Sequence, residues 1–378
     1  MRRAFVFGAV VVVGAWLGAG EAPQPVEPVH REDSHRVVEA VARLKLPDRK
    51  ERLQALETIQ RFPDKAVPFL IKAARSDDAV FRARVANALG LVGKGDRDAL
   101  FALGILLRDP DTFVRREAIA ALVKAADASA VPQLETLLAD RQETVRADAV
   151  VAVADLLPPE KAPERLRGLL SHGDARVRRT ALAELLRRKD PEVVSLLPNL
   201  LKDQDAGVRG DAAAAVARLD GKKAAASLVE LLADPDPYVR STAVVALKDL
   251  RAAEATPRII DLLNDKSDDV RAEAISALGS LRARAAIPAL IAQLTATRKE
   301  LRERAAMAMG LFREQARDAA PGLITLLSDA DEGVRQKADL ALRLILRANV
   351  GFQAGGSLEA RQEAIAKWQE AWRKSKSK

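Results

Sequence analysis

The chain contains no cysteine. Disulfides, thiolate metal sites and cysteine nucleophiles are therefore excluded. Histidine is almost as scarce. His30, His35 and His172 are the only three, none is followed by glutamate, and no two share a helical face. An imidazole metal centre has no ligands to draw on, and no histidine is placed to activate a serine. Neither a G-x-S-x-G elbow nor a phosphate-cradling glycine loop is present; Gly93-Lys94-Gly95-Asp96 is too short for one. Aromatics are 3% of residues, which leaves few large anchors for a ligand pocket. No catalytic residue, cofactor site or metal site is expected.

A strong charge on the body of the chain is also missing. The formal net charge is +8, but Arg2 and Arg3 open the sequence and Arg373, Lys374, Lys376 and Lys378 close it, without acids among them. The body is nearly balanced, which argues against a nucleic-acid partner. Residues 1–20 place two arginines before an uncharged run from Ala4 to Gly20 that ends in small residues. That layout predicts a signal peptide, or an anchor through residues 4–20 if it is not cleaved. Residues 21–33, with three prolines between Glu21 and Pro28, read as a linker. The chain is expected to be exported, to a periplasm or cell envelope.

What the sequence has in abundance is periodicity. An arginine recurs at 82, 115, 146, 178, 209, 240, 271, 302 and 335, with gaps of 31–33 residues. Such a period marks a stack of similar units rather than one globular core. In the unit around Arg240, Leu228, Leu231 and Leu232 fall on one helical face, and Val239, Ala243, Ala246 and Leu247 on another. Between them, Asp234-Pro235-Asp236-Pro237 cannot continue a helix, and Asp236 before Pro237 makes a good N-cap. Each unit is helix A, a tight turn, then helix B. Helix A is expected to start near Pro68, Pro132, Pro163, Pro257, Pro288 and Pro321. One unit cannot bury its apolar face alone, so neighbours must complete it. Alanines three and six residues after the arginine let helices B approach closely. A degenerate leading unit sits at Asp48, Arg52, Ala55 and Ile59.

The D-x-D-x-x-V-R…A…A-L pattern of Asp109-Pro-Asp111…Val114-Arg115…Ala118…Ala121-Leu122 resembles HEAT repeats. More narrowly, it is similar to the short HEAT-like repeats of phycobilisome lyases, over about residues 48–348. The resemblance implies an all-α, right-handed solenoid of nine to ten hairpins spanning 34–350. It also implies a ladder between loop aspartates and helix-B arginines. Its members would be Asp109, Arg115, Asp140, Arg146, Asp203, Arg209, Asp234, Arg240, Asp265, Arg271, Asp329 and Arg335. Ser76, His172 and Ala296 stand where aspartate is expected, and there the ladder should be weaker or replaced.

The helix-B face is the default binding surface of such an array. Its expected exposed positions are Arg84, Arg116, Glu117, Asp148, Arg179, Asp211, Glu273, Arg304 and Lys337. Arg298 and Lys299 add a local basic patch near Arg282 and Arg284. After Gly351, Gly355 and Gly356, residues 351–373 form a last helix in which Trp368 and Trp372 cover the open end of the stack, followed by a basic tail at 374–378. The expected function is a non-enzymatic protein–protein scaffold of a bacterial envelope. The alternatives are a lyase- or hydroxylase-type enzyme by family likeness, or polyanion binding through the basic patch.

Overall fold

The computed structural model describes residues 29–219 and 225–376. The expected signal peptide, most of the linker and the last two tail residues lie outside the described residues. Among those described there is no strand. The chain divides between Ala126 and Asp127 into two compact units.

The first unit holds α1 (Val29–Arg43), α2 (Arg49–Arg61), α3 (Pro63–Ala73), α4 (Ala79–Val92), α5 (Arg97–Leu106) and α6 (Thr112–Ala125). The A helices α1, α3 and α5 pack side by side, as do the B helices α2, α4 and α6. In the second unit the A helices are α7 (Val131–Thr136), α9 (Ala162–Leu169), α11 (Val193–Leu200), α13 (Ala225–Glu230), α15 (Thr256–Asp261), α17 (Ile287–Ala292) and α19 (Ala320–Leu326). Its B helices are α8 (Glu143–Leu156), α10 (Ala175–Arg187), α12 (Ala206–Leu219), α14 (Pro237–Asp249), α16 (Asp268–Ser280), α18 (Lys299–Phe312) and α20 (Glu332–Leu346). Each B helix packs on the next, and α21 (Leu358–Lys376) rests on α19 and α20. The architecture is an all-α solenoid of helical hairpins.

Local chemistry explains the boundaries. Asp78, Asp96, Asp111 and Asp331 each accept two backbone N–H bonds at the start of the helix that follows. Pro132, Pro163, Pro257, Pro288 and Pro321 sit in the first turns of their A helices, where a missing amide hydrogen costs nothing. Pro68 departs from that expectation. α3 starts earlier, on Pro63, and Pro68 lies inside it. In several hairpins helix A tightens into a 3-10 turn before the loop, as at Leu231–Ala233 and Leu262–Asn264.

Two boundaries differ from the sequence reading. Helix begins at Val29, within the expected linker, because Val37, Ala40, Val41 and Leu44 form a buried stripe that pulls the segment onto its neighbours. Asp33 also accepts from Lys65 of α3 at 2.8 Å, pinning the start of α1. At the other end, helix continues through Lys376 into the expected tail. Lys374 pairs with Glu370 at 2.7 Å, and Lys376 lies over the Trp372 ring at 4.2 Å.

The core is made of small aliphatics. Ala118, Ala121, Ala149, Ala152, Ala212, Ala215, Ala243, Ala246, Ala274 and Ala277 are all buried. Gly90 marks a close approach of helix backbones: a Cβ there would stand 2.6 Å from the Ala121 Cα on α6. Two of the alanine positions are different. Val85, three residues after Arg82, is buried as well. Glu184, six residues after Arg178, is buried and pairs with Arg187 at 2.5 Å.

Candidate functional site

Five of the periodic arginines share one geometry. In the second unit, Arg209 donates from Nε to Asp234 Oδ2 at 2.7 Å and from Nη2 to Oδ1 at 2.8 Å. Arg178 does the same to Asp203 at 2.8 and 2.6 Å, Arg240 to Asp265 at 2.7 and 2.8 Å, and Arg302 to Asp329 at 2.7 and 2.9 Å. In the first unit Arg82 holds Asp109 at 2.7 and 2.8 Å. These are two-pronged guanidinium–carboxylate pairs, the arrangement a planar fork favours.

Each guanidinium also reaches its own loop. Arg209 Nη1 donates to the carbonyls of Asp203 and Gln204, and Arg115 Nη1 to those of Asp109 and Pro110. The aspartate six residues before an arginine therefore offers it a main-chain oxygen. Its carboxylate belongs to the arginine of the hairpin before, 25 or 27 residues upstream. The same carboxylate accepts from the amide two residues on, as Asp234 does from Asp236 at 2.9 Å. One aspartate thus shapes the turn and ties two hairpins together.

Where aspartate is absent, three substitutes occur. Ser76 Oγ and His172 Nδ1 accept the turn amide in its place, from Asp78 at 3.3 Å and Asp174 at 3.1 Å. Arg146, facing His172, turns instead to Asp174 at 3.0 Å. Ala296 has no side-chain acceptor, and Arg271 pairs with Asp268 on its own helix. At the end of the series Arg335 Nε donates to the Ala354 carbonyl at 2.7 Å.

Hydrogen bonding governs the charge states. Bonds to their carboxylate partners raise the Arg82, Arg209, Arg240 and Arg302 pKa values above the ordinary guanidinium value. For Asp234, Asp265 and Asp329, burial opposes ionisation. The arginine and turn-amide bonds outweigh it and hold all three below the ordinary carboxylate value.

The expected surface positions are less free than their spacing implies. Arg84 is half-buried and donates to the Leu44, Lys45 and Leu46 carbonyls, closing the end of α1. Arg179 pairs with Asp211 at 2.7 Å, and Tyr238 donates its hydroxyl to the same carboxylate at 3.3 Å. Arg304 lies 3.3 Å from Glu273 and donates to Ser276 Oγ at 2.8 Å. Lys299 reaches Asp331 at 2.8 Å, and Arg298 stands 3.5 Å from Asp268 and 3.6 Å from Glu300. Arg116 is exposed; Glu117, Asp148 and Lys337 are half-buried. Parallel B helices thus set opposite charges against each other across successive repeats. Trp368 is fully buried, with its indole N–H donating to Asp339 at 3.0 Å, whereas Trp372 is half-buried.

The most distinctive surface feature escaped the sequence reading. Met307 and Leu311 on α18, and Leu340 and Leu344 on α20, are 40–50% exposed. They occupy matching places, five and nine residues after Arg302 and Arg335. Leu344 lies over Gly310, and Leu311 over Gly279, so the side chains step from one helix to the next. Earlier hairpins of the second unit carry Asp155, Arg187, Arg218, Asp249 and Ser280 at the second of these places. Aligning the units on their arginines would have revealed the change. Within one helix the same leucines read as ordinary core.

The profile described as HEAT repeats matches residues 37–103, 91–154, 162–248, 226–298 and 287–351. No curated protein matches the chain. Among solved structures, Kap121p bound to Pho4p is similar at 13% identity and a TM-score of 0.58, over 92% of this chain and 44% of that one. Kap95p, described as acting on the switch loops of RanGDP, is similar at 14% identity and a TM-score of 0.56, over 92% and 57%. This chain therefore spans about half the length of those two proteins. At such identities the likeness concerns the fold alone.

Proposed function

This chain belongs to the HEAT-repeat family, and from that premise we propose that it is a protein-interaction scaffold binding its partner on α18 and α20. The observation that carries this reading is the apolar step formed by Met307, Leu311, Leu340 and Leu344. Contiguous exposed apolar side chains on an otherwise charged face are the usual mark of an interface. Burying the remaining half of each contributes roughly 1 kcal/mol per side chain. The Arg304–Glu273 pair beside them can act as a rim that orients the partner. The leader pattern at residues 1–20 supports a place in the cell envelope.

Among the described residues no group of three or more histidine, aspartate or glutamate side chains is arranged to hold a metal. Binding of a polyanion at Arg298 and Lys299 is disfavoured by the carboxylates of Asp268, Glu300 and Asp331 beside them. The test is site-specific photocrosslinking from positions 311 and 344 of the full chain in its native cell, followed by mass spectrometry. One reproducible protein partner, lost when Leu311→Asp and Leu344→Asp are combined, is the expected result. Absence of any such partner, with the protein folded and present, rejects the reading.

A further inference from the structure

A second apolar feature lies on the A-helix side of the first unit. A groove of about 310 Å³ runs between α3 and α5, lined by Ile71, Ala74, Arg75, Asp98, Phe101 and Ile105 among others. Phe101 is 70% exposed and Ile105 57%, the first of these the most exposed large apolar side chain among those described. The repeats supply their own control for what the fold requires. Counting back from each loop, the place of Phe101 is held elsewhere by residues such as Pro132, Ser195 and Pro257, and that of Ile105 by Thr136, Asn199 and Asp261. Only the first hairpin approaches this, with Val38 at the place of Phe101 and Ala42 at that of Ile105; no other hairpin carries a large apolar residue at both places. The hairpin fold does not need this pair, so its exposure calls for an occupant.

The surrounding charge indicates which occupant. Lys72, Arg75, Arg97 and Arg108 are exposed and form no ion pair among the described residues. Arg97, Phe101 and Ile105 follow one another at helical spacing on α5, and Arg108 lies in the turn just after it, so a cation stands near each end of the apolar strip. Acids stand among them too: Asp98 in the groove, Asp64 at the start of α3, and Asp77 and Asp96 in the loops beside Arg75 and Arg97. A concave channel between two helices accepts a ridge, as a third helix presents, better than a flat lipid surface.

We propose that the α3–α5 groove docks an amphipathic helix of a partner protein, its apolar stripe seated on Ile71, Phe101 and Ile105 and its flanking carboxylates meeting Lys72, Arg75, Arg97 and Arg108. This site is separate from the α18–α20 surface, and either can fail without the other. The probe is a synthetic helical peptide of about 20 residues with leucines at i, i+3, i+4 and i+7 and glutamates flanking them. Its counterpart carries lysine for every glutamate. Fluorescence anisotropy measures both against the full chain and against the Phe101→Ser, Ile105→Asn double variant, which takes the residues of a sister repeat. The acidic peptide is expected to bind about tenfold or more tightly than the basic one, and to lose about tenfold or more in the variant. An Arg75→Glu, Arg108→Glu chain, altered only at exposed side chains, should reverse the charge preference. Equal binding of the two peptides overturns the proposal, as does acidic-peptide binding indifferent to Phe101 and Ile105. It also fails if the groove residues instead govern sedimentation with phosphatidylserine vesicles, or self-association of the chain, and no peptide binds.

Discussion

Asp234 concentrates the logic of the ladder in one carboxylate. Its Oδ1 accepts from Arg209 and from the Asp236 amide, and its Oδ2 accepts from Arg209 again. Asp234→Ala removes all three bonds and leaves a largely buried guanidinium without its counter-charge. A loss of about 2–4 kcal/mol is expected, read as a lower urea midpoint. A drop below about 0.5 kcal/mol would refute a structural role for the rung. The same carboxylates make stability depend on pH. Asp234, Asp265 and Asp329 titrate below their unfolded value of about 4. Their contribution is complete above that value and is lost as pH falls through the folded values. Urea midpoints should therefore decline below about pH 4, and the triple Asp→Asn variant should show a flatter decline. The arginine row was legible from spacing alone. The identity of each partner was not, because residues 25 apart meet only when hairpins stack, while the nearer aspartate supplies just a carbonyl.

At the level of the helix, how B helices stop is more informative than how they start. Lys189, Arg251 and Arg282 adopt φ values of 57°, 53° and 51° without being glycine. The next amide then donates five residues back, from Asp190 to Leu185, Ala252 to Leu247 and Ala283 to Leu278, at 3.0–3.1 Å. That is a Schellman ending, in which glycine is the favoured residue. A left-handed L-residue costs roughly 1–2 kcal/mol, and glycine returns part of this through its freer unfolded state. Arg282→Gly should raise stability by about 0.5 kcal/mol, measured by thermal or urea melting. A decrease would mean that the arginine side chain contributes more than its backbone costs. The N-terminal caps were readable because aspartate before a helical run has one common use. These endings were not, since lysine and arginine carry no such signal and the stack imposes the conformation.

For the molecule as a whole, stability depends on each hairpin having a neighbour, which leaves the last one exposed unless something covers it. α21 does so, with Trp368 buried and bonded to Asp339, which also pairs with Arg343 at 2.7 Å. Trp368→Ala should cost about 3–5 kcal/mol, and the loss should fall first on α19 and α20. Hydrogen exchange by mass spectrometry would show this as early loss of protection there, with the amides of α8 and α10 little changed. Uniform loss across the second unit would contradict the nearest-neighbour picture. The cap was legible from two tryptophans at helical spacing. Their division of labour was not: Trp368 faces α20, whereas Trp372 stays half in solvent beneath Lys376.

The amino-acid order alone determined the hairpin, its period, its caps and the dryness of its interior. These follow from local conformational preference and from apolar residues repeating at helical intervals, so they need no knowledge of what lies next door. Only the tertiary structure decided which carboxylate each arginine holds and that Arg179, Arg304 and Lys299 are answered by acids of the adjoining repeat. It alone decided that Phe101, Ile105, Leu311 and Leu344 stay uncovered. Pairing and exposure are properties of neighbouring surfaces, and a linear pattern cannot report whether a side chain at a core-like interval meets another helix or water.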